Sequence, residues 1–106
     1  MSFFDLFKQP DINQGVKEFL DLPGAVLLDV RSPEEYRDGH IPGSQNLPLP
    51  NIQSAEAVIA DKELHLFVYC YSGARSRQAS NALQRMGYSN VHNIGGIAAY
   101  SGKIER

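Results

Sequence analysis

The chain has 106 residues, which is the size of one ordinary domain. Hydrophobic residues make up 42% and charged residues 21% of the sequence, a composition typical of a globular protein and unlike that of a disordered one. The formal net charge of -2 and the pI near 5.8 exclude bulk electrostatic attraction to nucleic acid or to anionic lipid. Neither is therefore expected as a partner.

The apolar runs are short and the sequence has one cysteine. Ala25–Leu28 and Leu66–Tyr69 fall far below the roughly 20 residues that a membrane span needs. The start, MSFFDLFKQP, lacks the basic region and the small-residue cleavage site of a secretory signal, so we expect a cytoplasmic protein. Cys70 alone cannot form an intramolecular disulfide or a cysteine-rich zinc site.

We expect a single domain over residues 1–106, with residues 1–10 as an appended segment. This segment carries an apolar group that either docks on the core or marks a partner surface. Docking on the core is the favoured interpretation. The group consists of Phe3, Phe4, Leu6 and Phe7.

The first half of the chain alternates helix and strand patterns. One apolar stripe at helical spacing predicts a helix with one buried face, and this helix is expected to end at Pro23-Gly24. Ala25–Val30 is a continuous apolar run with β-branched members, which predicts a strand covered on both faces. The helical stripe is formed by Ile12, Val16, Phe19 and Leu20.

A second helix is predicted directly after this strand. Ser32 can cap the amide of Glu35 while Glu35 reaches back to Ser32, and Pro33 suits the first helical position. Gly39 is expected to end this helix. The following turn-rich stretch leaves room for a short strand near 45–47, and residues 51–60 then suggest another helix.

The second half of the chain contains the most informative junction. Residues 64–69 form a second buried strand pattern that leads directly into Cys70. A helical stripe follows and ends at Gly87, and residues 91–94 predict a last strand. This alternation indicates an α/β fold, with a small, mainly parallel sheet and helices on both faces. The stripe is formed by Ala79, Ala82, Leu83 and Met86.

Sites in such folds lie at the carboxyl ends of the strands, where Cys70 is expected. The segment from Cys70 to Arg75 leaves a strand and enters a helix that we expect to begin near Ser76, so its amides can converge on one anion. Gly73 permits a positive φ, small Ser72 and Ala74 allow close backbone approach, and Arg75 adds a fixed cation.

A thiolate at Cys70 would gain from the helix dipole and from these amides, so we expect its pKa to lie below that of a free thiol. A lone cysteine is more often a small buried hydrophobe. The strand, loop and helix context favours a nucleophile here. Stabilising negative charge on the group that Cys70 captures is expected to be the larger benefit, and a persulfide would suit this position.

These residues resemble the rhodanese-like sulfurtransferases. The matching motifs are LLDVRSPEEYRDGHIPGSQNLP (27–48), VYCYSGARSRQASNALQRMGYSNV (68–91) and the closing NIGG (93–96). The resemblance implies a rhodanese fold with Cys70 as the nucleophile. It also implies that the amides of Tyr71 to Arg75 hold the transferred sulfur, and that Arg75 steers the donor and helps to close the loop.

Members of this family take a sulfane sulfur from a small anionic donor such as thiosulfate. They hold it as a persulfide and pass it to cyanide, to a thiol or to a protein acceptor, with no metal or organic cofactor. Two positions depart from the pattern of relatives. Tyr71 and Ser72 are neutral where some thiosulfate-using relatives have basic residues, and Tyr100 stands where many relatives have Trp.

Loop length separates two enzyme classes. Four residues lie between Cys70 and Arg75, whereas the related cysteine-based phosphatases and arsenate reductases have five. The shorter loop suits one sulfur better than a tetrahedral phosphate, so a phosphatase is the weaker alternative. The other alternative is a binding or sulfur-relay module without enzymatic turnover. A thiol redox enzyme is disfavoured because no resolving cysteine is present.

Several further polar residues are assigned supporting or structural roles. Asp29 and Arg31, at the end of the first strand, are expected to form a buttress, and Ser76 to support the loop. His40 is expected to stabilise its turn, and no histidine pair has metal-ligand spacing with a carboxylate. Arg77, in the first turn of a helix, is either solvated or attracts an anion.

Overall fold

The computed structural model describes residues 10–106. The apolar group in residues 3–7 therefore lies outside the described residues. The strands are β1 (Val26–Asp29), β2 (Ser44–Asn46), β3 (His65–Cys70) and β4 (Asn90–Gly96). The α-helices are α1 (Ile12–Asp21), α2 (Pro33–Asp38), α3 (Ala55–Val58) and α4 (Ala74–Arg85), with 3₁₀ turns at Leu49–Ser54 and Ile97–Ala99.

The described strands form one four-stranded sheet in the order β2-β1-β3-β4, with every neighbouring pair parallel. β1 and β3 occupy the centre and are almost entirely buried. The predicted α/β class and parallel sheet are therefore confirmed. The central strands β1 and β3 finish side by side at the same end of the sheet, because Asp29 pairs with Tyr69.

Two hydrophobic clusters cover the sheet, one on each face. Helices α3 and α4 pack on one face, where Ala55 and Leu83 are fully buried over Leu28 and Val68. Helix α1 packs on the other face, where Ile12 and Val16 meet Leu27 and Phe67. Cys70 belongs to the cluster under α4, so its side chain points to the face from which that helix starts.

Helix ends follow the local sequence. The Asp11 carboxylate caps α1 by accepting from the amides of Asn13 and Gln14. Ser32 and Glu35 form the predicted reciprocal cap of α2, and Gly39 ends that helix. Both helices therefore begin where a short polar side chain satisfies the free amides of the first turn.

The prediction that Leu20 lies in the core is wrong, because its side chain is 72% exposed. Leu20 lies about 80° around the helix from Ile12, at the edge of the stripe that faces the sheet. Phe19, on the other side of that stripe, packs against the core as expected.

Residues 51–60 were expected to form one helix, and this expectation is wrong for the first half. The chain forms a 3₁₀ turn with a kink at Asn51 before the single turn of α3. The amides of Leu47 and Leu49 donate to Asp29 and Val30 at the end of β1, which anchors the chain to the sheet just before the turn. Pro50 supplies no amide for a helical hydrogen bond there.

Gly15 allows α1 to lie close to β4. A β-carbon at this position would overlap the Ile94 side chain. We expect Gly15→Ala to lower the free energy of unfolding by about 1 kcal/mol, because overpacking of about 1–3 kcal/mol exceeds the helix-propensity gain of about 1 kcal/mol. Urea unfolding measures the change. The exposed Lys17→Ala is the matched control, and an unchanged or raised stability of Gly15→Ala would contradict this packing.

Candidate active site

Cys70 ends the central strand β3 and is fully buried. The amide of Gly73 donates to its Sγ over 3.0 Å, and the Ser76 hydroxyl oxygen lies 3.5 Å from the same sulfur. Burial alone would raise the pKa of the thiol. Hydrogen bonds from the Ser76 hydroxyl and from the amides of Ser76, Gly73 and Ser72 outweigh burial, so the pKa lies below its ordinary value. The lowered pKa agrees with the direction that the sequence predicts for Cys70.

The loop turns into α4 through Gly73, whose φ of 107° is left-handed. The helix begins at Ala74, earlier than the expected start near Ser76, because the Gly73 carbonyl already accepts the first helical hydrogen bond, from the amide of Arg77. Arg75 and Ser76 thus lie within the first helical turn. The loop amides and the helix N-terminus consequently face the sulfur together.

Close contact with β4 holds the loop in place. The Tyr71 carbonyl accepts from the amide of Ala98 over 3.1 Å. A β-carbon at Gly96 would overlap that same carbonyl, so the loop backbone lies directly on the strand. Gly96 is part of the site because it leaves room for the loop, whereas a β-carbon at Gly95 would meet Pro10.

Ser76 joins the loop to β4. Its buried hydroxyl lies 3.0 Å from the Gly73 carbonyl oxygen and 2.7 Å from Asn93 Oδ1. The sequence includes Asn93 only as the first residue of the closing NIGG motif and assigns it no role. Its contact with Ser76 spans 17 residues and joins a strand to a helix, so local spacing does not predict it.

Arg75 forms an ion pair with Glu35 of α2. Its two terminal nitrogens donate to the two carboxylate oxygens over 2.7 and 3.0 Å. This hydrogen-bonded pair lowers the pKa of Glu35 to about 2, against a smaller opposing effect of burial. The sequence identified Glu35 as a helix cap only, because its pairing with Arg75 spans 40 residues.

Asp29 and Arg31 form a second, buried pair at the end of β1. Arg31 Nη2 donates to Asp29 Oδ2 over 2.7 Å and to the Gly39 carbonyl over 2.7 Å. The Asp29 carboxylate also accepts from the Arg31 amide over 2.9 Å. The pair braces the segment that connects β1 to the end of α2. Within residues 10–106, neither side chain hydrogen-bonds to the loop that follows Cys70.

A cleft of about 610 Å³ opens beside the loop. The exposed Arg77 lies at this cleft, and within residues 10–106 its side chain forms no hydrogen bond or ion pair that would neutralise it. The side chain of Tyr71, which is 54% exposed, lies there as well. The lining consists of Pro10, Tyr71, Ser72, Gly73, Ala74, Arg77, Asn93, Gly95, Gly96, Ala98 and Ala99.

The histidines lie outside this loop. His40 Nδ1 is 2.8 Å from the Tyr36 carbonyl oxygen, which agrees with the predicted turn contact. His65 and His92 stack on each other, with Nδ1 of one 2.9 Å from Nε2 of the other. Among residues 10–106, no group of three or more potential ligands is arranged for a metal ion. No helix in that part of the chain is long and apolar enough to cross a membrane.

The family model for the rhodanese-like domain matches residues 13–103. The chain belongs to the rhodanese-like family. It is 41% identical over 71 residues to the thiosulfate sulfurtransferase PspE of Escherichia coli, covering 66% of this chain and 68% of the relative. It is 36% identical over 107 residues to the thiosulfate sulfurtransferase GlpE of Pseudoalteromonas translucida, covering 94% and 98%.

A solved structure described as a rhodanese with anions from E. coli has the same fold. The TM-score is 0.72 at 34% identity, and the match covers 77% of this chain and 98% of that one. The named relatives support a sulfurtransferase activity in general.

We expect Glu35→Gln to lower the free energy of unfolding at pH 7 by about 1 kcal/mol or less, because the ion pair with Arg75 is partly exposed. Since folding lowers the pKa of Glu35 from 4.5 to about 2, this contribution is present above pH 4.5 and is lost as the pH falls towards 2. Denaturant titrations across this range measure the difference from the wild type. Glu34→Gln, 72% exposed in the same turn, is the control, and a difference that does not shrink between pH 4.5 and pH 2 would argue against the pair.

Proposed function

We propose that the protein is a sulfurtransferase that moves a sulfane sulfur from a small anionic donor, such as thiosulfate, through a persulfide on Cys70. The observation that carries the proposal is the position of Sγ, at the end of a central strand and 3.0 Å from a loop amide. The lowered pKa of the thiol supports the same role, because the thiolate is the attacking species.

In the first half-reaction the Cys70 thiolate attacks the outer sulfur of thiosulfate. A bond forms between Sγ and that sulfur while the bond to the sulfite group breaks, and sulfite leaves with the electron pair. The negative charge of the thiolate then resides on the outer sulfur of the persulfide. In this proposal the amides of Tyr71 to Arg75 stabilise that charge, and the folded loop holds them in place before the reaction.

In the second half-reaction a nucleophilic acceptor, cyanide or a thiolate, attacks the outer sulfur. The sulfur–sulfur bond breaks, its electron pair returns to Sγ, and the product is thiocyanate or a new persulfide. The hydrogen bonds that stabilise the Cys70 thiolate also make it a better leaving group in this step. One site can thus serve both half-reactions.

Two arginines in the first turn of α4 have different surroundings. Arg75 is paired with Glu35, so its main role in this proposal is to close the loop against α2. Arg77 lies at the cleft beside the loop. We assign to Arg77 the larger part in attracting the anionic donor, which the resemblance alone would give to Arg75.

Intact mass spectrometry tests the proposal directly. Reduced protein is incubated with thiosulfate, desalted and weighed, and cyanide is then added and thiocyanate assayed. The proposal expects an adduct of one sulfur that cyanide discharges, repeated over many turnovers. Loading without repeated turnover would favour the sulfur-relay module instead. Absence of any adduct with thiosulfate, mercaptopyruvate or a persulfide donor would overturn the proposal.

We expect Cys70→Ser to reduce turnover to below about one thousandth of wild type, since the nucleophile is removed. The fold should persist because the side chains are close in size and the position keeps its hydrogen-bond partners. Thiocyanate assays and circular dichroism measure the two effects. Activity near the wild-type level in a folded Cys70→Ser protein would rule out Cys70 as the sulfur carrier.

We expect Arg77→Gln to raise KM for thiosulfate severalfold with little change in kcat, because the charge attracts the donor and does not touch the reacting bond. The defect should shrink at high salt, which screens exposed charges. Arg85→Gln, at the other end of the same helix, is the control for net charge. Equal effects of the two substitutions would mean that Arg77 has no local role.

A further inference from the structure

One oxygen of Asn93, on β4, contacts both Ser76 of α4 and Gly95 of β4. This oxygen, Oδ1, lies 2.7 Å from the Ser76 hydroxyl oxygen and accepts from the Gly95 amide over 3.1 Å. The Gly95 contact fixes the orientation of the carboxamide, because only its oxygen can accept from an amide. Ser76 must therefore be the donor in its contact with Asn93.

The Ser76 hydroxyl has one proton and several acceptors around it. Asn93 Oδ1 is the nearest, and the Gly73 carbonyl at 3.0 Å already accepts from the amide of Arg77. Sγ of Cys70 and the Gly95 carbonyl oxygen, both at 3.5 Å, are the more distant acceptors. A protonated thiol can donate to the Ser76 oxygen and leave the hydroxyl proton with Asn93. A negatively charged sulfur can only accept, so it competes with Asn93 for that proton.

We propose that Asn93 is a positioning residue for Cys70. The Asn93 carboxamide oxygen accepts the hydrogen bond of the Ser76 hydroxyl while the sulfur is neutral, and Sγ accepts it when the sulfur becomes negative. The hydroxyl then rotates between two acceptors as the charge moves. Asn93 keeps its bond to the Gly95 amide in both states, so neither state leaves it without a partner.

The consequence for turnover rests on the proposed function. In the persulfide the inner sulfur is neutral and the hydroxyl proton remains with Asn93. After discharge Sγ is a thiolate and accepts the hydrogen bond of that hydroxyl. Weakening the Asn93 acceptor therefore favours the thiolate, which should speed discharge. Loading should change less, because a larger thiolate fraction is offset in part by a lower nucleophilicity.

A neutral substitution at Asn93 leaves the charged groups near Cys70 unchanged. On β1 and α2 these are the Asp29–Arg31 pair and Glu35, which is paired with Arg75 of α4. The remaining cation of the first turn of α4 is Arg77. On β4, His92 stacks on Phe67, which belongs to the cluster on the opposite face of the sheet from Cys70.

The test measures the ultraviolet thiolate absorbance of Cys70 against pH, with Cys70→Ser as the blank. Asn93→Leu should move the titration midpoint to lower pH. At a pH below the wild-type midpoint, the thiolate fraction should rise about threefold to tenfold, which corresponds to the free energy of one hydrogen bond. Ser76→Ala should move the midpoint to higher pH. Adding Asn93→Leu to Ser76→Ala should change nothing further, because no hydroxyl proton remains to be released.

Asn93→Asp is the second variant, and it preserves both the shape and the acceptor that holds Gly95. Asn93→Asp should move the midpoint to higher pH, and the shift should be larger when Ser76 is present than when it is replaced by alanine. Equal shifts in both backgrounds, or an upward shift for Asn93→Leu, would show that Asn93 does not act through Ser76. The titration needs no sulfur donor, so its outcome is independent of whether the persulfide forms.

Discussion

Sγ of Cys70 is fully buried, so its negatively charged form is favoured only where hydrogen bonds offset the cost of burial. Burial disfavours the thiolate of Cys70, while the amide of Gly73 and the hydroxyl of Ser76 favour it. The left-handed Gly73 turns the chain so that the first amides of α4 face the strand end. The absence of a side chain at Gly96 allows the loop to lie on β4. Each feature is needed to bring donors to one atom.

Two ion pairs lie near the sulfur. Asp29 and Arg31 are buried together, so each neutralises a charge that would otherwise destabilise the core. Arg75 meets Glu35 at a partly exposed position, which ties α4 to α2 across the sheet edge. The loop is therefore supported from β4 on one side and from α2 on the other.

The sequence predicts the local parts of this structure well. Two buried strands, the cap at Ser32 and the glycine ends of α2 and α4 all depend on neighbouring residues, and the structure contains each of them. The strand, loop and helix order around Cys70 was likewise visible. The two errors arise where tertiary contacts decide the structure. Leu20 lies at the edge of the helix face that packs on the sheet, so it stays exposed. Residues 51–60 follow a segment that is hydrogen-bonded to the end of β1, which favours a 3₁₀ turn there. The partners Glu35 and Asn93 were missed because each meets the loop across a distant part of the chain.

The parallel sheet also links the reactivity of Cys70 to the completion of folding. Every neighbouring strand pair is joined by a crossover, and the central pair β1 and β3 is separated by more than one helical segment in the chain. Contacts of this kind close large loops, which costs chain entropy and slows folding. The donors to Sγ come from the start of α4, which is held against β4 by the contact of Ser76 with Asn93. The lowered pKa of the Cys70 thiol is therefore a property of the folded chain, because these donors meet Sγ only when α4 packs on β3 and β4.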